Sequence, residues 1–525
     1  RADLQLSTTP EDMHAELTSG DMKASLHVAS GPTSTQVQLT KLMDETLRQV
    51  RLITSGKSAT KYLEDLVVHL PTSTLSLTMG KDNPLRYYLA DQHVALGSLS
   101  MKLETSPREG LSGTLALSDL RVDTLRINSA QLNLSTERQT IARGDSLSLV
   151  LFGTVMKSRY RSQEGFTIST DLRTSLQSGH LDFSWQDERG EVRHTAEVEG
   201  SWSGEAYQLH FIGDRLRLAY NDYKINPENS LSLRKKDYFL LGSLQLAGEK
   251  RGEFSLLAEE STPGVQDITL GIHKLYLEDY RSLGLPDIGG IFFGDVHYQR
   301  KGDLSQQPTI SGDLSISDLR YEDKKLGHFT SSLFYEPRSG DSHYITADIG
   351  YNGQSAMTID GIYHPREKTS PLSGTLTLNA FPLELANPFL AANATSLKGT
   401  AEGSIRLSGK LTEPLLSGKM NLSDAMVHLD SYGMHLVLDS MPVRMENSDI
   451  YFDHYAVRPS VDTKKAIYLD GSIRKSTTPQ ATASLRITSD ELTLLDEPRP
   501  RRDDQLLYGR IIASTNMNVS GPMTA

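Results

Sequence analysis

A ten-residue phrase occurs three times in this chain with the same internal spacing. The copies are SGTLALSDLR at 112–121, SGDLSISDLR at 311–320 and SGKMNLSDAM at 417–426. In each copy a glycine stands six residues before an aspartate, and apolar residues alternate with polar ones between them. Repetition of one strand-and-corner unit predicts an extended β architecture, whose function depends on a surface rather than on a pocket.

The aspartate of each copy marks a change in the parity of the apolar residues. Met420 and Leu422 alternate before Asp424, whereas Ala425 and Val427 occupy the opposite parity after it. One extra residue at this point would turn the strand while its apolar side chains stay on one face, as a β-bulge does. We therefore expect a structural role at strand corners, rather than a catalytic role, for the repeated aspartates and glycines. They are Asp119, Asp318, Asp424, Gly113, Gly312 and Gly418.

The same two-residue period runs through much of the chain and predicts the fold class. Ile405 and Leu407 alternate with polar residues, and a longer run extends from Ile511 through Met517 to Val519. Turn-forming residues recur roughly every ten to fifteen positions. Residues 39–53 instead have a helical spacing of apolar side chains. The sequence predicts a mainly all-β chain, a long repetitive antiparallel sheet with a few short helices.

Composition excludes several classes of function. The net charge of −12 argues against a nucleic-acid partner. The chain has no cysteine, so disulfides, thiolate metal sites and cysteine nucleophiles are excluded. No apolar run is long enough for a membrane-spanning helix. Because the chain begins at Arg1 and ends within a repeat, we expect it to be a segment of a longer protein.

Motifs of enzymes are missing from the sequence. It contains no GxSxG, HExxH, P-loop or dinucleotide-binding glycine pattern. Adjacent carboxylates such as Glu259 and Glu260 would point to opposite faces of a strand, so they could not act on one substrate. We therefore predict no enzymatic activity, no cofactor and no metal site.

The last third of the chain carries a resemblance to a known family. Its segments are 381–390, 397–438, 467–475, 481–488 and 506–522. The spaced residues that carry the pattern are Gly399, Gly403, Ile405, Leu407, Gly409, Pro414, Gly418, Met420 and Leu422, then Tyr508, Gly509, Ser520 and Gly521. Together they resemble the C-terminal region of the TamB family, which belongs to the AsmA-like envelope proteins. Residues 70–89 also resemble TamB-like proteins from Bacteroidota.

The resemblance implies a fold and a domain division. Proteins of this family are long antiparallel sheets curled into an open, apolar-lined groove. It implies that residues 1–280 form an upstream repetitive groove segment. Residues 281–525 would form a C-terminal-type groove domain that is truncated at its end.

The resemblance also implies a function, partners and a location. TamB-type proteins bridge the inner and outer membranes, carry phospholipid between them and support the assembly and secretion of outer-membrane proteins. The implied partners are phospholipid acyl chains in the groove and an outer-membrane barrel of the BamA type, TamA or a relative. The implied location is the periplasm, with an inner-membrane anchor and membrane contacts supplied by regions outside this segment.

Seven apolar residues are the predicted lining of the groove. They are Ile405, Leu407, Met420, Leu422, Ile511, Met517 and Val519. Transfer of an acyl chain of about sixteen carbons through water would cost on the order of 12 kcal/mol, which a continuous apolar surface would avoid. By residue type alone these side chains fit a sealed β-core equally well.

Two other functions fit a repetitive β chain. One is a structural scaffold or chaperone whose sheet edges pair with strands of an outer-membrane barrel and its clients. The other is an extracellular β-solenoid, either an adhesin or a polysaccharide lyase. A solenoid predicts a shorter and stricter period with stacked polar residues, and this sequence shows neither.

Overall fold

The fold is a single antiparallel sheet with few helices. A computed structural model describes residues 2–54, 62–141, 144–160, 165–175, 178–213, 215–249, 251–283, 287–322, 324–338, 341–389, 395–410, 412–429, 432–476, 481–499 and 506–522. All strands formed by these residues belong to one sheet, and most pair with their neighbours in sequence. The predicted fold class is thereby confirmed.

The chain divides into two compact units. The first comprises Arg1–Thr269, Asp279–Leu285 and Gly302–Ser305, and the rest of the chain forms the second. The strands of the first unit are β1 (Ala2–Thr8), β2 (Met13–Ser19), β3 (Met22–Val28), β4 (Ser73–Met79), β5 (Val94–Ala95), β6 (Ser98–Ser106), β7 (Gly110–Val122), β8 (Leu125–Ile141), β9 (Gly144–Tyr160), β10 (Phe166–Thr174), β11 (Ser178–Asp187), β12 (Val192–Trp202), β13 (Ala206–Phe211), β14 (Arg215–Leu218), β15 (Asn221–Ile225), β16 (Ser230–Arg234), β17 (Phe239–Gly248) and β18 (Glu253–Thr262). Its helices are α1 (Pro32–Thr54), α2 (Tyr62–Val67) and α3 (Pro84–Asp91).

The second unit is built from longer strands. They are β20 (Ile288–Lys301), β21 (Thr309–Tyr321), β22 (Lys324–Arg338), β23 (Ser342–Tyr351), β24 (Gln354–Tyr363), β25 (Leu372–Pro382), β26 (Thr395–Lys410), β27 (Glu413–Leu429), β28 (Met434–Leu438), β29 (Val443–Glu446), β30 (Asp449–Pro459), β31 (Ile467–Arg474), β32 (Thr482–Glu497) and β33 (Gly509–Pro522), with the 3-10 helix η2 (Leu383–Phe389). Strand β19 (Val265–Tyr276) and the 3-10 helix η1 (Leu277–Leu283) are divided between the units.

Local sequence explains where the helices lie. The helical spacing at 39–53 falls within α1, which starts at Pro32, a residue whose fixed φ suits the first turn of a helix. Helix α3 also starts with a proline, and the Asn83 side chain caps it by accepting a hydrogen bond from the backbone N–H of Arg86 at 2.9 Å. Helices are few among the described residues, and α1 is the longest of them at 23 residues.

The register of the second unit places its apolar residues on one face. Directly opposite residues of an antiparallel pair share a face, and Leu376 stands opposite Ile405, while Leu407 stands opposite Leu416. The neighbouring positions on the other face are polar, as in the pair Ser404–Lys419. The same separation continues to β33, where Met517 lies opposite Ile487. We call this side of β20–β33 the apolar face.

The first unit has the same two-sided character. Leu75 stands opposite Leu103, and Leu115 stands opposite Leu132. The burial pattern of β7 alternates between exposed and half-buried residues and changes parity at Ser118, directly before Asp119. Alternation in the sequence therefore translates into two chemically different surfaces in both units.

A line of left-handed residues crosses the second unit and bends its strands. It consists of Asp318, Ala380, Asp424, His454 and Glu491, whose φ angles lie between 41° and 52°. Each lies where the register of a strand pair shifts. Such bulges bend a strand and increase its twist. We call this line the crease.

Buried apolar side chains concentrate beside the crease. One cluster of eight comprises Leu378, Ala401, Ile405, Leu422, Ala425, Val443, Tyr455 and Val457, and we call it the base cluster. Next to Glu491, Leu492 is 0% exposed.

Candidate functional site

On the apolar face of the second unit, the side chains of the base cluster are buried, whereas other side chains are partly exposed. On β26 and β27, Ile405 is 4% exposed and Leu422 is 8% exposed, and both belong to the base cluster. Met420 is half-buried against that cluster. Leu407, two residues further from the crease than Ile405, is half-buried and lies outside the cluster. On β26 and β27 the side chains two residues further from the crease are thus more exposed, whereas Leu372, at the far end of the neighbouring β25, is buried again.

Strand β33 shows the same gradient. Ile511 is half-buried opposite Leu495, which is 1% exposed. Further along the strand, Met517 is 47% exposed and Val519 is 41% exposed. A sealed β-core would bury all of these side chains, because its second layer would cover them. The apolar face is therefore buried at the base cluster and more accessible elsewhere; we call the first region the base, and the positions Leu407, Met517 and Val519 the walls.

The structure brings together some of the predicted lining residues and not others. Ile405, Leu407, Met420 and Leu422 lie on the paired strands β26 and β27. The remaining three lie on β33, which the sheet separates from β27 by β29, β30, β31 and β32. All seven have the same facing, so they belong to one surface rather than to one pocket.

Two of the three repeated aspartates lie at bulges, and all three have a left-handed backbone conformation. Asp119, Asp318 and Asp424 have φ angles of 50°, 52° and 49°, in the left-handed region that asparagine and aspartate tolerate better than most residues. Register shifts accompany Asp318 and Asp424, and all three side chains are exposed. This geometry suits a backbone role.

The repeated glycines lie apart from the bulges. Gly113, Gly312 and Gly418 occupy regular strand positions on the apolar side, opposite Leu103, Val296 and Ile405. A Cβ on Gly418 would lie 2.5 Å from the Ser404 carbonyl oxygen and 2.9 Å from the Ile405 Cα. Gly418 therefore allows close approach of two strands beside the base cluster.

A second set of glycines faces the left-handed aspartates, a role that sequence reasoning missed; Gly97 directly precedes β6, and Gly290 and Gly399 lie in β20 and β26. A Cβ on Gly97 would lie 2.8 Å from the Asp119 Cβ, and one on Gly290 would lie 2.9 Å from the Ser317 carbonyl oxygen. At Gly399, where φ is 103°, it would lie 2.6 Å from the Asp424 carbonyl oxygen. The variable hairpin lengths between each glycine and its aspartate hide this pairing in the sequence.

Buried titratable groups near the apolar face are packed as neutral side chains. Burial raises the pKa of Tyr455 to about 12, and its hydroxyl donates to the Asp439 carbonyl oxygen at 2.7 Å. Burial lowers the pKa of His194, in the first unit, to about 4. Over the described residues, no group of three or more histidine or acidic side chains is placed to hold a metal ion.

The apolar side of the first unit contains a shallow niche of about 150 Å³. Leu115, Leu117, Leu132, Val155 and Ile168 contribute apolar side chains to its wall. Gly153 lies among them, and a Cβ there would meet the side chains of Leu132 and Thr170 at 3.2 Å. Glycine at position 153 therefore allows the Leu132 and Thr170 side chains to approach the strand closely.

Comparison with known proteins now adds to this geometry. The family model described as TamB, N-terminal domain, matches residues 341–422, which include β23–β26 and much of β27. This match supports a TamB-type protein. No curated protein and no solved structure shows significant similarity to the chain. Because the description names the N-terminal domain, the assignment of residues 281–525 to a C-terminal-type domain stays a prediction.

The match to the TamB family has coarse implications. It implies a role in the translocation and assembly module and an association with the cell envelope. The family is of the bridge or transport type and is not an enzyme family. None of the helices formed by the described residues is long and apolar enough to cross a bilayer.

Proposed function

We propose that this TamB-type protein carries phospholipid between the inner and outer membranes, with acyl chains lying against the apolar face. The single observation that carries the proposal is the gradient from Ile405, 4% exposed, to Met517, 47% exposed, on one continuous surface. A sheet that holds guests needs a stable base and accessible walls. The base cluster supplies the first, and Leu407, Met517 and Val519 supply the second.

The energetics of the surface fit this task. Transfer of an acyl chain of about sixteen carbons into water costs on the order of 12 kcal/mol of free energy, at roughly 0.8 kcal/mol for each methylene. Contact with half-exposed leucine and methionine side chains recovers part of this cost at each strand. Similar apolar positions recur on successive strands, so a chain can shift along them without a large barrier.

Site-specific photocrosslinking tests the proposal. A photoreactive residue replaces Leu407 or Met517 on the apolar face, and matched controls replace Arg406 or Asn516. Adjacent residues of a strand point to opposite faces, so each control differs from its partner only in facing. We expect phospholipid adducts, detected by mass spectrometry, at Leu407 and Met517 and not at the controls. Equal labelling on both faces would contradict a lipid path on the apolar face.

The second part of the proposal concerns protein partners. We infer that the protein acts in the periplasm with an outer-membrane barrel of the BamA type, TamA or a relative, in the assembly and secretion of outer-membrane proteins. Family membership supports this inference. Co-purification from cross-linked envelopes, followed by mass spectrometry, tests it. We expect a barrel of this type among the crosslinked proteins, and recovery of none would count against the partnership.

A further inference from the structure

Three arginines stand in register across adjacent strands of the first unit. On the side that carries the polar residues, Arg121 of β7 lies directly opposite Arg126 of β8, which lies directly opposite Arg159 of β9. All three are exposed. Like charges directly opposite each other destabilise a sheet. We call Arg121, Arg126 and Arg159 the arginine row.

Only one arginine of the row has a carboxylate partner among the described residues. The Arg159 guanidinium lies 2.6 Å from the Glu188 carboxylate, which also accepts a hydrogen bond from the backbone N–H of Gly165 at 2.7 Å. Within the described residues, neither Arg121 nor Arg126 forms an ion pair. The repulsion between these two is therefore not relieved by the protein itself.

The row borders a concavity of about 700 Å³, a volume typical of ligand sites. Arg189 also lines it, as do the carboxylates of Asp119, Asp187 and Glu188. The Asp187 carboxylate is engaged by the backbone N–H groups of Arg189 and Glu191 and by the Tyr220 hydroxyl. Two of the three carboxylates are thus occupied, whereas Arg121 and Arg126 are available to an anion.

The second copy of the repeat has an arginine at the equivalent position, and that arginine has a carboxylate partner. Arg121 and Arg320 occupy the same place in the phrase Ser-Asp-Leu-Arg. In the second unit Arg320 lies 3.5 Å from the Glu278 carboxylate. Both arginines follow a left-handed aspartate by two residues. In both copies a cation stands directly opposite the arginine, Arg126 in the first and Lys325 in the second, but only Arg320 has a carboxylate partner.

We propose that Arg121, Arg126 and Arg159 form a binding site for a phosphate ester at the end of β7, β8 and β9. Guanidinium groups bind phosphate oxygens through paired charge-assisted hydrogen bonds, and a phosphate between Arg121 and Arg126 would relieve their repulsion. The ester is either a phospholipid headgroup or a soluble phosphate. The headgroup assignment rests on the proposed function, whereas the site itself does not.

Calorimetric titration with glycerol 3-phosphate tests the site without any acyl chain. The variants are Arg121→Gln and Arg126→Gln, and Arg320→Gln is the matched control. We expect roughly tenfold weaker binding for each site variant, because each loses charge-assisted hydrogen bonds. Arg320→Gln is expected to bind like the wild type. Failure of the wild type to bind, or equal losses in all three variants, would overturn the proposal.

Thermal unfolding gives a second signature that does not depend on the titration. In chloride buffer, Arg126→Gln is expected to unfold at a higher temperature than the wild type, because two like-charge contacts are removed. Phosphate at the same ionic strength is expected to raise the wild-type midpoint and to leave that of the variant unchanged. A phosphate effect of the same size in both proteins would be a general salt effect and would overturn the site.

Vesicle flotation distinguishes the two sources of the ester. The probes are vesicles of phosphatidylglycerol and vesicles of phosphatidylcholine. If Arg121→Gln and Arg126→Gln reduce flotation with phosphatidylglycerol as well as the titration, the site takes lipid headgroups. If they reduce only the titration, the site takes a soluble phosphate ester. Since glycerol 3-phosphate never contacts the apolar face, failure of lipid transport and failure of this site remain separable.

Discussion

The base and the walls of the apolar face differ in burial although their sequences have the same pattern. Ile405 and Met517 both occupy alternating apolar positions in long strands. The first is 4% exposed beside the crease, whereas the second is 47% exposed on β33. The contrast shows that alternation sets the facing of a side chain, and that its neighbours in the sheet set what covers it. The base is thus buried, and the walls are accessible to solvent.

The largest expected effect on stability comes from disrupting the base cluster. Ile405→Glu places a carboxylate among the seven other buried residues of the base cluster, and we expect it to lower the free energy of unfolding by more than about 4 kcal/mol. Arg406→Glu, on the neighbouring exposed position, is the control and is expected to change it by less than about 0.5 kcal/mol. Urea unfolding measures both. Stability of Ile405→Glu close to that of the wild type would show that the base is open as well.

A smaller effect is expected at the bulge that bends β27. Gly399→Ala would bring a Cβ to 2.6 Å from the Asp424 carbonyl oxygen, and we expect it to cost about 2–3 kcal/mol. Gly509→Ala is the matched control, because Gly509 has the same φ of 103° with open space around it. It should cost only the backbone strain, about 1 kcal/mol. Equal losses would mean that backbone strain alone, without the close strand approach at the crease, explains Gly399.

A third and smaller effect is the pH dependence that Tyr455, in the base cluster, gives to the free energy of unfolding. The pKa of Tyr455 rises from 10.0 to about 12 because burial disfavours the phenolate. The folded state therefore retains this proton where the unfolded chain loses it. Its contribution to stability is complete below pH 10 and falls as the pH rises towards 12.

Tyr455→Phe isolates this contribution from those of the other tyrosines and lysines. The variant loses the hydrogen bond to the Asp439 carbonyl, which costs about 1 kcal/mol at neutral pH. Between pH 10 and pH 12 its stability should fall less steeply than that of the wild type. Parallel curves in chemical denaturation would show that solvent reaches the hydroxyl and that the base is not sealed there.

The sequence predicts which face of the sheet a side chain occupies better than it predicts which residues surround that side chain. The parity change at Asp424 is enough by itself to indicate a bulge, because one extra residue reverses the facing of a strand. The partner of that bulge, Gly399, is not predictable in the same way, since it depends on register and hairpin length. Burial of Leu422 against exposure of Val519 is likewise a property of neighbours that are distant in sequence. The carboxylate that pairs with Arg320 comes from Glu278, outside the repeated phrase.

Substitutions at Leu407 and Met517, in the walls, should have the smallest effect on stability and the largest effect on lipid transport. Leu407 is half-buried outside the base cluster, so Leu407→Glu should cost about 1 kcal/mol and leave the protein folded. Met517→Glu, at a more exposed position, should cost less than about 0.5 kcal/mol. A carboxylate in either place interrupts the apolar surface, because an acyl chain that passes it must contact a hydrated charge.

Lipid transfer between donor and acceptor vesicles measures the interruption, with unfolding curves recorded in parallel. We expect both variants to remain folded and to lose most of their transfer activity, while Asn516→Glu on the opposite face retains it. Normal transfer by a folded Met517→Glu variant would show that β33 is not part of the lipid path. Unfolding of both variants would instead show that the walls are part of a closed core. Because the control carries the same charge one residue away, a loss confined to Met517 assigns the effect to the face and not to net charge.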